Sequence, residues 1–345
     1  MSTHASRRAW VEIDLAALVA NARTVEAAAG SRLLPMVKAN AYGLGAVAVA
    51  HALDALNPWG YGVATVGEGI ELRIAGITRP VLVFTPAARD QYHDSEANDL
   101  TAVLDDPDVA ASWDRPYHLE IDTGMARCGL RWDDDRLAVW PSGHLAGCFT
   151  HFHSADTDPD SVRLQAERFE AALARLPTRP PLVHAAGSAA AWRLNERFDL
   201  VRPGVFLYGG THAFDLTPPA PVATLRAPVV SVRRLRAGDT VSYGAAWTAP
   251  RDTTIATVAV GYADGVSRAV EGKASVVLDG RRLSVVGRVT MDFIMVDAGD
   301  RAVRPGDVAT LIGEGITLDE FAGWAGSNTY EVLARLGARL ERVYQ

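Results

Sequence analysis

Eight short apolar runs recur between Leu33 and Arg202, and their rhythm restricts the chain to very few folds. They are Leu33–Lys38, Tyr61–Ala64, Pro80–Thr85, Thr101–Leu104, Tyr117–Ile121, Leu145–Thr150, Leu182–His184 and Leu200–Arg202. Helical patterns lie between them, including Ala46–Leu56, Glu68–Ala75 and Val162–Leu176. Strands and helices that alternate in this way build a parallel sheet, because each parallel pair needs a crossover connection. Eight such units predict a closed (β/α)8 TIM barrel with its site on the loops after the strands. The competing architecture is an open, doubly wound sheet.

The rhythm breaks at Thr217-Pro218-Pro219-Ala220-Pro221. Beyond it, strand patterns follow one another at Val229–Arg234, Thr253–Val260, Ala274–Leu278, Arg282–Val286, Ile294–Val296 and Val308–Ile312, with Asp279-Gly280 as a hairpin turn. Helical patterns close the chain at Leu318–Trp324 and Tyr330–Leu336. The expected division is a barrel over residues 1–220 and a smaller, mostly β domain over 221–345. Trp10–Ile13 reads as a strand that can pair with the second domain. Asp14 reads as the cap of a helix from Leu15 to about Ala28.

Composition narrows the function. A 345-residue chain that is 48% hydrophobic can bury ample core for two ordinary domains. A net charge of −7 without a long basic block argues against a nucleic-acid partner. No apolar run is long enough to span a bilayer, and Met1–Arg8 carries two arginines with no apolar stretch behind them, unlike a secretory leader. Cys128 and Cys148 have neither metal-ligand spacing nor the number for a disulfide framework, so no metal is expected. A soluble, cytoplasmic protein is the expectation.

One residue stands out against that background. Of 34 basic residues only Lys38 and Lys273 are lysine. Lys38 ends the first apolar run and opens the Gly-rich stretch VKANAYGLG. Arginine serves as a cation but keeps its proton; lysine can lose it and attack a carbonyl. Lys38 is therefore a candidate for covalent carbonyl chemistry or proton transfer, or else an ordinary surface lysine.

On a barrel, other polar residues join it on the same rim. Glu120 and Asp122 end the fifth run, with Arg127 beyond. His151 and His153 follow the sixth, Gly187 and Ser188 the seventh, and Arg202 and Gly204 the eighth. The last two loops of such barrels often bind phosphate, and a small residue at a helix start exposes the N–H groups that favour an anion. The same glycines also suit tight turns. A lysine opposite a phosphate cradle is the arrangement pyridoxal phosphate requires.

These stretches together resemble alanine racemase, the fold-type III pyridoxal-phosphate enzyme, over nearly the whole chain. VKANAYGLG is followed in order by DTGMARCGL at 122–130, THF at 150–152, HAAGSAA at 184–190, VRPGVFLYG at 201–209, VSYGAAW at 241–247, GYADG at 261–265, GRVTMDF at 287–293 and TYEVL at 329–333. The resemblance implies that Lys38 carries the cofactor covalently and acts as one base. Tyr243, from the partner of a homodimer, would be the other. Tyr42, Ser188, Gly204 and Tyr330 would hold the phosphate. His151 would lie against the ring and Arg202 would face its nitrogen. Arg127 would contact the ring oxygen and the substrate carboxylate. Met291 would give a backbone N–H to the substrate and Tyr262 would narrow its entrance; Asp156, Arg268 and Arg288 would line the entry corridor, with Asp292 as a supporting residue.

Racemisation removes a proton from one face of Cα and returns one to the other, so two bases are the direct solution. Lysine and tyrosine both have ordinary pKa values near 10, so cationic neighbours are needed, a His–Arg cluster in the case of Tyr243. An arginine at the ring nitrogen gives it no proton and weakens the electron sink. Two departures from the family pattern are visible. Glu120 stands where many relatives carry a carbamylated lysine, supplying a negative charge for Arg127 without carbon dioxide. Gly187 stands where asparagine is common, which removes a side chain from the phosphate loop. The chain is also short for the family around Thr85–Thr101. The rival readings are a racemase for serine or a larger amino acid, a related barrel decarboxylase, and a non-catalytic pyridoxal-phosphate carrier. Decarboxylases place an acid at the ring nitrogen, and a carrier would need no Tyr243.

Overall fold

A computed structural model of the chain describes residues 8–86, 88–194, 198–211 and 215–345. The leader reading of Met1–Arg8 lies, Arg8 apart, outside them, as does Ala87 within the short stretch 85–101. The chain forms two compact units, one of residues 18–207 with 211–219 and one of residues 1–17, 208–210 and 220–345.

The N-terminal strand β1 (Trp10–Ile13) belongs to the second unit. The first unit is a ring of eight parallel strands: β2 (Arg32–Leu33), β3 (Tyr61–Val63), β4 (Val81–Val83), β5 (Ala102–Leu104), β6 (Tyr117–Asp122), β8 (Leu145–Phe149), β9 (Leu182–His184) and β10 (Leu200–Val201). A short β7 (Leu130–Arg131) pairs with the outer end of β6. Ladders join β3 to β4, β5 to β6, β6 to β8, β8 to β9, β9 to β10 and β10 back to β2. Single bridges Met36–Gly62 and Leu82–Thr101 complete the circle. The expected (β/α)8 barrel is the observed one. Leu34, Leu82, Val103, Phe149 and Leu200 fill its interior, with Trp59 and Phe84 packed against them. Such an interior is a packed core that fixes the rim above it.

The strands are terse and the helices carry clear signals. Val66–Ile74 starts at Thr65, whose hydroxyl accepts from Glu68 N while Glu68 reaches back to the cap. Pro159–Arg175 starts at Asp158 with proline in its first turn and buries Val162, Ala166, Phe169 and Leu173. One expectation needs correction. The run Leu33–Lys38 is not one regular strand to the lysine. Pro35 has no N–H for a ladder, pairing resumes at Met36 and Val37, and Lys38 starts a turn. The stretch between β4 and β6 holds two short helices, Tyr92–Ala97 and Pro107–Ser112, in the places the alternation of the barrel requires.

The second unit is antiparallel. Its long strand β11 (Ala223–Leu235) is followed by the small pair β12 (Thr240–Val241) and β13 (Trp247–Thr248), then β14 (Thr253–Val258), β15 (Ser275–Leu278), β16 (Arg281–Val286), β17 (Ile294–Gly299) and β18 (Val308–Ile312). β11, β14, β17, β16, β15 and β18 pair in that order, and β18 returns to β11, so the sheet closes on itself. A bulge between Val229 and Ser231 lets one strand serve both neighbours. Asp279 and Gly280, both at positive φ, make the β15–β16 hairpin turn. β1 adds to β11 antiparallel and pairs in parallel with the last strand, β19 (Glu341–Tyr344).

Candidate active site

Lys38 begins a single turn of left-handed helix. Ala39, Asn40, Ala41 and Tyr42 all sit at φ 52–53°, and Gly43 ends the turn at φ 82°. Left-handed backbone costs a side-chain-bearing residue roughly 1–2 kcal/mol, and only asparagine among these four tolerates it readily. The turn is held by its surroundings. Ala41 N donates to Val37 O at 2.8 Å and Gly43 N to Ala39 O at 2.8 Å. The Asn40 side chain accepts from Ala46 N at 2.8 Å, and Glu68 accepts from Ala39 N at 2.7 Å. Burial pulls the Lys38 pKa below the usual lysine value, Arg127 and Arg202 pull it further, and Glu68 opposes them. The amine is thus moved toward a state in which it can act as a base or nucleophile.

Arg202 follows β10 and is buried at the core of the barrel rim. It donates to Thr150 O at 2.6 Å, Ala185 O at 2.9 Å, His184 Nδ1 at 2.7 Å and His151 Nδ1 at 3.3 Å. Its guanidinium carbon lies 5.3 Å from the Phe149 ring centre and 5.8 Å from that of Phe84. Burial lowers its pKa to about 9, with Glu120 pulling it back up, so it remains a cation at neutral pH. His151 is pushed down to about 3, by burial first and then by Arg202, Arg127 and Lys38. It is therefore neutral. His184 and His118 are neutral for the same reasons. Arginine can only donate, so His184 receives at Nδ1 and carries its proton on Nε2. That proton reaches His118 Nδ1 across 2.9 Å, and His118 Nε2 is buried without a hydrogen-bond partner among the described residues.

Glu120 is almost fully buried on β6, 3.6 Å from Nη2 of the half-exposed Arg127. Burial raises its pKa, while Arg127 and Arg202 lower it. The loop between them is shaped by Asp122, whose Oδ1 accepts from Gly124 N at 2.9 Å and Ala126 N at 3.0 Å. Gly129 sits at φ 87°, where a Cβ would meet Glu120 O at 2.4 Å, so only glycine closes this loop.

Ser188, Gly204 and Tyr42 come together. Gly204 N donates to the buried Ser188 hydroxyl at 3.1 Å, and a Cβ on Gly204 would lie 2.5 Å from Tyr42 Oη. Gly187 is different, because a Cβ there would meet only ordinary contacts, the nearest at 3.5 Å on His151. Asp156 contributes its carbonyl to Arg193 at 3.3 Å, and Arg193 also holds Asp215 at 2.9 Å.

The second unit carries the remaining candidates. Tyr243 is 74% exposed and stands on another strained turn, flanked by Ser242 at φ 71°, Gly244 at φ 69° and Ala245 at φ 49°. Ser242 Oγ anchors that turn to Arg288 O at 3.0 Å. The residues described in this unit include arginine but no histidine, so its own chain segment supplies only half of the expected His–Arg cluster. Tyr262 and Met291 are joined through backbone: Tyr262 N donates to Thr290 O at 3.0 Å and Ala263 N to Met291 O at 3.1 Å. Arg339 locks this pair. It grips buried Asp264 at 2.6 and 3.0 Å, Asp292 at 2.9 Å and Met291 O at 3.3 Å. Arg268 pairs with Glu271 at 3.2 Å, and Tyr330 lies in the helix Thr329–Ala334.

Family models for the N-terminal and C-terminal domains of alanine racemase match residues 13–212 and 222–344. The chain belongs to the alanine racemase family. An alanine racemase of Deinococcus deserti is 41% identical over 97% of this chain and 98% of its own, and one of Carboxydothermus hydrogenoformans is 37% identical over 98% and 100%. Among solved structures, the alanine racemase of Bartonella henselae with covalently bound pyridoxal phosphate matches with a TM-score of 0.92 at 29% identity, covering 98% of this chain and 100% of that one. The enzyme of D-cycloserine-producing Streptomyces lavendulae matches at 0.89 and 33% identity, covering 98% and 97%.

Some residues of this alanine racemase site escaped the sequence reading. His118 lies two residues before Glu120 on the same strand face, so alternation alone could have pointed to it. His184 opens the HAAGSAA motif, but nothing in the sequence assigns it a role. Glu68 was visible as the end of a Thr-x-x-Glu box, but its reach to Ala39 was not.

Proposed function

We propose that alanine racemisation by this chain runs on two bases, Lys38 and Tyr243, the tyrosine coming from the second copy in a homodimer. The observation that carries the reading is the setting of Lys38: an amine of lowered pKa on a strained turn, facing Arg127 and Arg202. The surrounding residues fit pyridoxal phosphate. Tyr42, Ser188 and Gly204 cluster where backbone approaches closely, and the buried Arg202, a cation at neutral pH, and the neutral His151 act on the lysine. When bound, the cofactor supplies the electron sink that makes the Cα proton removable.

Lys38, Tyr42, His151, Ser188, Arg202, Gly204 and Tyr330 would hold that group. Arg202 keeps a cation at the ring nitrogen and gives it no proton. Arg127 orients the substrate carboxylate, itself steadied by Glu120, and this requires no carbon dioxide. Lys38 and Tyr243 each take or return the proton, depending on direction. Met291 and Tyr262 bound the substrate, with Tyr330 crowding longer side chains in favour of alanine. Asp156, Arg268, Arg288 and Asp292 shape the approach. Among the described residues no helix is long and apolar enough to cross a membrane, and we assign the enzyme to the cytoplasm.

A D-amino-acid-oxidase-coupled assay across a panel of L-amino acids tests the reading. L-alanine is the expected best substrate, with Lys38→Ala inactive and Tyr243→Phe falling by about 10²-fold or more. Mixed Lys38→Ala and Tyr243→Phe proteins recover about a quarter of wild-type activity if sites are shared between copies, because half of the dimers then hold one intact site. No recovery would place both bases on one chain. Equal rates on serine would favour the broader racemase.

A further inference from the structure

We propose that Glu68 is a positioning residue for Lys38, its carboxylate tying the lysine's turn to the end of the neighbouring barrel strand. The inference rests on the reading of Lys38 as cofactor lysine and base. Glu68 opens the helix Val66–Ile74, and a cap there needs only one of its oxygens. Oε2 accepts from Ala64 N at 2.7 Å and Thr65 N at 3.2 Å. Oε1 reaches a different loop and accepts from Ala39 N at 2.7 Å. Ala39 is the first residue past Lys38 and the first with left-handed backbone. The amide most exposed to unwinding is thus fixed by a carboxylate that is itself fixed at the end of β3.

The charge has a second effect. The groups that face Lys38 are Arg127 from the loop after β6, Arg202 from the loop after β10, and Glu68; neutral His151, after β8, faces it as well. Glu68 alone among them favours the protonated amine. It thus limits how far the two arginines depress the lysine while keeping the amine in place.

The test compares holoenzyme of Glu68→Gln, Glu68→Asp and Thr65→Ala. A glutamine cannot accept from both sets of amides, since its NH2 would face an N–H. In Glu68→Gln, kcat falls about tenfold or more, KM changes little, and the acidic limb of the rate–pH profile moves down by about one unit. The sign follows because removing an anion disfavours the charged amine. Glu68→Asp keeps the charge on a shorter arm, so the limb stays in place while kcat falls. Thr65→Ala breaks the same helix cap without touching Ala39; it lowers the melting temperature and leaves the profile unchanged. A Glu68→Gln enzyme with wild-type kcat and limb, or a Thr65→Ala enzyme that reproduces its defects, overturns the proposal. Borohydride reduction followed by peptide mapping separates the parent reading: label away from Lys38 would sink that reading whatever Glu68 does.

Discussion

At the scale of the residue, the two proposed bases share a property that no motif expresses. Lys38 precedes four consecutive residues in left-handed backbone, and Tyr243 is enclosed by Ser242, Gly244 and Ala245 at positive φ. Strain of this kind persists only where the surroundings enforce it, and it clusters at functional sites. Ala39 is exposed, so replacing it with glycine removes strain and disturbs little packing. We expect Ala39→Gly to raise stability by about 0.5–1 kcal/mol in denaturant titration, once the added entropy of the unfolded chain is subtracted. Its kcat should fall, because the turn is freer to relax. A mutant that is both less stable and fully active would contradict this account. The turn itself was illegible in the sequence. Alanine has no preference for left-handed backbone, so nothing in Lys38-Ala39-Asn40-Ala41 announces it beyond the asparagine.

At the scale of the element, the rim works through short loops braced by single side chains. Asp122 gathers the amides of the Arg127 loop, Asn40 caps the helix after the Lys38 turn, and Ser188 takes the Gly204 amide. Gly204→Ala introduces a Cβ within 2.5 Å of Tyr42 Oη. The expected result is a folded protein with weaker cofactor retention, measured by dialysis and absorbance. Adding Tyr42→Phe should restore part of the loss of fit, since the clashing oxygen is gone; a fully additive double mutant would argue against the contact. The elements were legible to the degree that their signals are local. Asp158-Pro159 and Thr65-x-x-Glu68 mark helix starts in any context. The β10 strand, Leu200–Val201, reads as part of a barrel only because seven other runs share its rhythm. Side-chain reach between elements, such as Glu68 to Ala39, depends on which loops the closed barrel makes neighbours, and that information is not local.

At the scale of the whole molecule, the barrel unit keeps His118, His151 and His184 neutral inside it. An unfolded histidine titrates near 6.5, whereas His118 and His151 in the fold are pushed down to about 3. Below pH 6.5 the unfolded chain therefore binds protons that the folded chain does not. Stability is fully present above that value and is lost as pH falls toward 3, at about 1.4 kcal/mol per pH unit for each histidine. Acid titration followed by circular dichroism should show the barrel failing well above the usual carboxylate range, and His118→Asn should make the decline shallower. A flat stability profile between pH 6 and pH 4 would contradict the neutral state.

The row from Arg202 through His184 to His118 has a direction. Every hydrogen in it points away from the arginine, and the last one, on His118 Nε2, meets no acceptor among the described residues. A proton could travel back toward Arg202 only if both imidazoles turned over inside a packed core. The row is thus a one-way street closed at its far end, and the ring nitrogen that Arg202 is proposed to face is cut off from relayed protons on that side. Nitrogen-15 shifts should report Nε2–H tautomers for both histidines across neutral pH, and a protonated Nδ1 on either would reverse the polarity.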